Sequence, residues 1–118
     1  MANPNIASFT TLYGNTAVQS VTNSATAIVT NTAASGLLYK IYSLSIANTT
    51  TANIAITVDL YRSSTAYRIA GSISVPANST LVLITKDNGV YLNEGDTLRL
   101  TGGSGSGLEA VCSYEVIS

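Results

Sequence analysis

Histidine and tryptophan are absent from this 118-residue chain, and cysteine and phenylalanine occur once each. Without imidazole there is no Ser-His-Asp triad, no histidine general base and no imidazole-bound zinc. A single cysteine, Cys112, excludes an internal disulfide and a Cys-rich metal site. Charge is scarce as well: five basic and six acidic residues make up 9% of the chain, against ~25% in ordinary domains. So few basic residues, scattered as they are, do not build the positive stripe that a phosphate backbone needs, and no nucleic-acid partner is expected. No apolar run approaches the ~18 residues of a membrane span. The opening MANPNIASFTTLYGN has no basic segment followed by an apolar core, so it does not read as a signal peptide. The expectation is a protein made in the cytoplasm, with no membrane association, no cofactor and no metal.

What the chain does have is hydroxyl and amide groups. Serine, threonine and asparagine number 15, 16 and 10, over a third of the residues. Leu, Ile, Val and Phe contribute 31 residues, above the ~20% floor below which chains tend to stay disordered. The length suits one domain, residues 1–118. Net charge is −1 and mean hydropathy is +0.31. Copies of such a chain repel each other weakly, which points to burial of its surface in an assembly.

The patterning is that of strands and turns. Residues 53–61, NIAITVDLY, alternate, with Ile54, Ile56, Val58 and Leu60 on one face and Asp59 and Tyr61 on the other. Residues 67–75 alternate too, with Tyr67, Ile69, Gly71, Ile73 and Val75 read as the inner face and Gly71 as a possible bulge site. Together they predict a β-hairpin, ended by Pro76. Residues 80–86, TLVLITK, are nearly continuously apolar and read as a central strand covered on both faces. Asp87-Asn88-Gly89 reads as a tight turn using positive φ. Short strands follow at 90–92 and 97–101, then a flexible glycine-rich tip at 102–107. Strand 108–117 places Leu108, Ala110, Cys112, Tyr114 and Val116 on the inward face and Glu109, Val111, Ser113, Glu115 and Ile117 on the other. In the first half, 37–47 reads as a long strand with a phase slip near Ile41-Tyr42, and 25–31 as a shorter one. Residues 6–13 read as a strand or an extended segment, and 1–20 as a region able to form an extended N-terminal arm. No helix is expected. The fold class is all-β: a single-domain antiparallel β-sandwich, with a jelly roll favoured over an immunoglobulin-like sandwich because the strand count tends toward eight.

Candidate chemistry is thin. Glu94 and Asp96 lie two apart, but their spacing fits turn carboxylates better than a Ca²⁺ loop. The glycine-rich tip lacks the Lys and helix of a phosphate-binding loop. Asn48-Thr49-Thr50 and Asn78-Ser79-Thr80 match the glycosylation pattern by chance in so Asn- and Thr-rich a chain. No carboxylate pair suggests a glycosidase, so no enzyme is expected. Seven tyrosines stand beside one Phe. Tyr39 and Tyr61 face outward on this reading, either as aromatic platforms for a protein interface or a sugar or as ordinary half-exposed packing of β-favouring residues. Arg62, Arg68 and Arg99 also face outward. They are placed either to fork onto a neighbouring subunit's carboxylates or simply to keep the surface soluble.

The segments LYKIYSLSIAN (38–48), ANIAITVDLYRSS (52–64), IAGSISVPANSTLVLITKDNGVYLNEGDTLRLT (69–101) and LEAVCSYEVIS (108–118), in that order, carry a resemblance. The chain resembles the small virion structural proteins of tailed bacteriophages, particularly those of marine cyanobacterial phages. Val75-Pro76-Ala77, Tyr91 to Asp96 with Leu98 and Arg99, and Ser113-Tyr114-Glu115 are its most specific pieces. The resemblance implies a place in the particle rather than a reaction. One placement is a capsid decoration or cement protein, a homo-trimer on the virion surface bound to the major capsid protein. The other is a neck, tail or fibre component, with host glycans as its contact. Decoration implies apolar burial and strand addition, for which Ile6, Phe9, Leu12 and Tyr13 and the exposed strand edges are the expected tools.

Overall fold

The structure, a computed structural model, describes Pro4 and residues 7–118. Nine strands run in chain order: β1 Leu12–Val21, β2 Thr26–Thr30, β3 Leu38–Asn48, β4 Ile54–Arg62, β5 Thr65–Val75, β6 Thr80–Ile84, β7 Val90–Leu92, β8 Thr97–Gly102 and β9 Leu108–Ile117. They form two antiparallel sheets packed face to face, a β-sandwich. Sheet A has the order β1-β9-β3-β6, with β7 continuing the β6 edge of β3, and sheet B has the order β2-β8-β4-β5. The pairings nest: β4 with β5, β3 with β6 and β7, β2 with β8, β1 with β9. The nested pairs alternate between the layers, with β1/β9 and β3/β6/β7 in sheet A and β2/β8 and β4/β5 in sheet B.

The core lies between the sheets. Ile41, Leu44 and Ile46 of β3 meet Ile56 and Val58 of β4, Leu98 and Leu100 of β8, and Ala110 and Cys112 of β9. Alternation delivers these residues to one face, since successive side chains of a strand point to opposite sides. β4 follows its sequence pattern, and Cys112 is fully buried as the pattern of 108–117 implies. The phase slip in β3 is a register shift between Ile41 and Ser43. The β4–β5 hairpin closes through Ser63 and Ser64, both at positive φ (51° and 61°), as a two-residue turn between right-twisted strands requires.

Four readings of the pattern are corrected. β5 does not present Tyr67, Ile69 and Ile73 to the core; these are exposed, and Ala70 is buried instead. The cause is two register shifts opposite Ile56–Asp59, with Ser72 at φ 50° and its N–H donating to Thr57 Oγ1 at 3.1 Å. Each inserted residue inverts the alternation beyond it. β6 is not a central strand but an edge of sheet A, with Val82 open to solvent. Lys86–Asn88 is a single 3₁₀ turn followed by Gly89 at φ −61°. Asn88 acts there through its side chain, whose Oδ1 accepts from Thr85 N–H and Oγ1 at 2.6 and 2.9 Å, so no positive φ is needed. Finally, residues 12–20 of the segment read as an N-terminal arm belong to strand β1, which is paired along its full length with β9.

Candidate assembly surface

Both ends of the sandwich are closed by a buried asparagine. Asn31 donates through Nδ2 to the carbonyls of Leu37 and Leu92, both at 2.9 Å, and its Oδ1 accepts from Ser35 Oγ at 2.6 Å. The adjoining turn is held by Glu94 Oε2, which accepts from Gly36 N–H at 2.7 Å. Asn48 donates through Nδ2 to the carbonyls of Ala52 and Val75 at 2.8 and 2.9 Å, while its Oδ1 accepts from Thr50. With its amide buried and both donors engaged, Asn48 is closed to glycosylation. The glycine-rich tip is fastened at its ends: Gly102 and Gly103 N–H donate to Thr22 and Ala55 carbonyls, and the Gly107 carbonyl accepts from Thr49 N–H.

The arginines are committed within the chain. Arg62 forks onto Asp96, and Arg99 Nε donates to Asp59 Oδ1 at 2.9 Å. Arg68 lies 3.9 Å from the other oxygen of Asp59. Asp59 sits on the outward face of sheet B yet is buried, because Arg99 and its neighbours cover it. The Arg99 guanidinium also stacks on Tyr61, 3.9 Å from the ring centroid. Tyr61, Arg68 and Arg99 therefore form one intramolecular cluster around Asp59, rather than free forks awaiting another subunit's carboxylates. Hydrogen bonding to Asp96 holds the Arg62 pKa above its ordinary value.

The other expected contact residues lie elsewhere. Ile6 falls outside the described residues. Phe9 is exposed just before β1, and Leu12 and Tyr13 are exposed on β1 itself. Tyr39 stacks on Tyr114 with ring centroids 5.5 Å apart, and both pack against the core. The structure thus places Leu12 and Tyr13 on β1, with Tyr39 in the same row as Tyr13 through Val116 of β9, gathers Tyr61, Arg68 and Arg99 around Asp59, and leaves Arg62 on Asp96.

One exposed apolar feature in register was not legible as a unit in the sequence. Val18, Val111, Ser45 and Val82 pair in one row across β1, β9, β3 and β6 on the outer face of sheet A. Val18 is 75% exposed, Val82 56% and Val111 43%. At ~4.8 Å between strands the row spans roughly 14 Å. Its neighbours are mostly hydroxyl-bearing or small: Thr16, Ser113 and Ser43 on one side, Ser20, Ala47 and Thr80 on the other, with Glu109 the one charge among them. Among the described residues no group of three His, Cys, Asp or Glu is placed to hold a metal ion. What this surface can do chemically is pack and hydrogen-bond.

No protein-family model matches the chain, and no curated protein matches it. A solved structure does: that of a study titled "Bacillus endospore appendages form a novel family of disulfide-linked pili". It superposes with a TM-score of 0.56 over 92% of this chain and 87% of its own, at 15% sequence identity. This is a likeness of fold: the β-sandwich seen here is shared with a subunit of an endospore appendage.

Proposed function

We propose that this chain is a structural subunit of an external protein assembly, specifically a decoration protein on the outer shell of a tailed-phage head. The valine row on sheet A carries the assembly reading. Three valines stand in register on that face with Glu109 the one charge beside them, and burial against a partner would stabilise them. The arginines agree with this, because Asp59 and Asp96 engage them within the chain instead of leaving them as charged forks on the surface. The fold likeness to a pilus subunit supports the coarser reading of an extracellular structural role. The phage head, with the major capsid protein as partner, rests on the family resemblance. The structural neighbour is described as disulfide-linked, whereas Cys112 is fully buried here. Association through these residues is therefore non-covalent.

Immunogold labelling of intact particles tests the placement. Gold spread over the head is the expected result. Gold at one vertex or on the tail overturns decoration in favour of a neck, tail or fibre component. Unlabelled particles, with the antigen shown to be accessible, overturn the virion reading altogether.

A further inference from the structure

Each sheet ends in exposed strand edges, and an open edge is a template for another strand unless brevity, bulges, proline or charge guards it. β6 and β7 have five and three residues, and the β6 ladder shifts register opposite Leu44–Ser45. β2 has five residues, is broken at Ile28, and has its Ala27 carbonyl capped by Gln19 Nε2 at 2.8 Å. β5 is long but interrupted by two register shifts, and it carries Arg68. β1 has one side-chain cap, Asn15 Oδ1 accepting from Thr16 N–H at 2.9 Å, and none of the other guards. Its ten residues, LYGNTAVQSV, contain no charge and no proline, and its register with β9 is unbroken from Leu12 to Val21.

The direction of its main-chain groups follows from one pair. Thr11 and Ser118 exchange both backbone hydrogen bonds, at 3.1 and 3.0 Å. In an antiparallel ladder such bonded pairs recur at every second residue. The odd-numbered residues of β1 therefore bond to β9, while Leu12, Gly14, Thr16, Val18 and Ser20 turn their N–H and C=O groups to the open edge.

We propose that two copies of this chain join edge to edge through β1, antiparallel, about a two-fold axis at Thr16. That register brings all five outward-turned residues to the seam, with Thr16 N–H exchanging Asn15 Oδ1 for the carbonyl of its counterpart. Thr16 faces its own counterpart, Leu12 faces Ser20 of the partner subunit, and Gly14 faces Val18 of the partner subunit. The relief is self-complementary. Val18 is the most exposed large apolar side chain described, and a Cβ built at Gly14 has nothing within 4 Å. The protruding valine of each copy lies over the empty position of the other. A foreign strand would meet the hydrogen bonds equally well but would match this relief only by coincidence. No charges oppose each other across the seam. The pair deepens the assembly reading, on which it rests for its biological setting, and it is a different building block from the trimer that the resemblance implies.

Light scattering on the purified full chain, from low to tens of micromolar, tests it together with four variants. The unaltered chain is expected to form dimers. Thr16→Cys is expected to give a disulfide-linked dimer under mild oxidation, because facing bonded residues lie about 5.5 Å apart between Cα atoms. Ser20→Cys is expected not to cross-link, since its counterpart would lie roughly 27 Å away at ~3.4 Å per residue. Val18→Lys and Gly14→Val are expected to weaken association by an order of magnitude or more. Both should leave the thermal unfolding curve in place, because Val18 points to solvent and the space over Gly14 is open. A monomer at every concentration, a trimer indifferent to Val18→Lys, or equal cross-linking at positions 16 and 20 would each overturn the proposal. None of these results bears on where gold labels a particle, so the two readings fail separately.

Discussion

Arg62 and Asp96 form a two-pronged ion pair at one end of the sandwich, Nε to Oδ1 at 2.7 Å and Nη2 to Oδ2 at 2.5 Å. The pair joins the end of β4 to the turn before β8. Asp96 Oδ2 also accepts from Asn93 N–H at 2.8 Å, so one carboxylate both shapes its own turn and anchors it to the neighbouring strand. The Asp96 side chain is 2% exposed and that of Arg62 43%. Removing the arginine would leave a buried carboxylate short of donors. Arg62→Ala is expected to lower stability by about 1–3 kcal/mol, the range for an orphaned buried group tempered by solvent screening on the arginine side. Arg62→Lys should recover only part of this, because an ammonium cannot reproduce the fork. Urea denaturation midpoints check both, and a full recovery by lysine would show that the fork geometry does not matter.

Asn48 holds the opposite end. Its two amide protons go to carbonyls in the β3–β4 connection and at the end of β5, 27 residues apart from it in the second case. Asn48→Ala is expected to cost about 2–4 kcal/mol, since two buried acceptors lose their donor. Asn48→Asp should do no better, as a carboxylate donates nothing. Asn23, exposed in the β1–β2 turn, is the control; Asn23→Ala should stay within about 0.5 kcal/mol in the same denaturation experiment.

Where the sequence was legible and where it was not follows from how many neighbours a strand has. β4 is flanked by β8 and β5 and covered on one face, so Ile54, Ile56 and Val58 announce it plainly. β1 has one neighbour, and its inward positions include Ala17 and Gln19, so GNTAVQSV shows little apolar alternation and reads as an arm. The inverted faces of β5 come from bulges whose positions a period-2 pattern cannot locate, although Gly71 marks the neighbourhood. The apolar run of β6 packs only its inner residues, and Val82 is left out because none of the described strands covers the outer face of sheet A. The arginine partners were unreadable for another reason: Asp59 and Asp96 lie 40 and 34 residues from Arg99 and Arg62, and only sheet register brings them together.

The two ends of the glycine-rich segment should respond differently to a methyl group than its middle does. Gly107 has φ +103°, and a Cβ there would lie 2.6 Å from Thr50 Cγ2 and 2.9 Å from Ile54 Cδ1. Gly105 has ordinary φ and nothing within 4 Å. Gly107→Ala is expected to destabilise by about 1–3 kcal/mol through backbone strain and crowding together. Gly105→Ala is expected to be neutral or stabilising by a few tenths of a kcal/mol, because it restricts the unfolded chain. Thermal midpoints that move together would show that Gly107 is not held in its tight corner.

Cys112 should behave as a buried apolar side chain until the alkaline limit. Burial pushes its thiol from 9.0 up to about 12, since taking a thiolate out of water is unfavourable. Ellman's reagent at pH 8 is therefore expected to label the native chain far more slowly than the urea-unfolded chain. The same shift has a signed consequence for stability. A pKa raised on folding favours the folded state fully below the unfolded value, and that contribution falls as pH rises through the folded one. The stability difference between the unaltered chain and Cys112→Ala should thus be constant below about pH 8 and shrink between pH 9 and 12. Using the difference cancels every group that the two chains share. A difference that grew with pH in that window would mean the folded protein favours the thiolate, and Cys112 would have to be reconsidered as a reactive group.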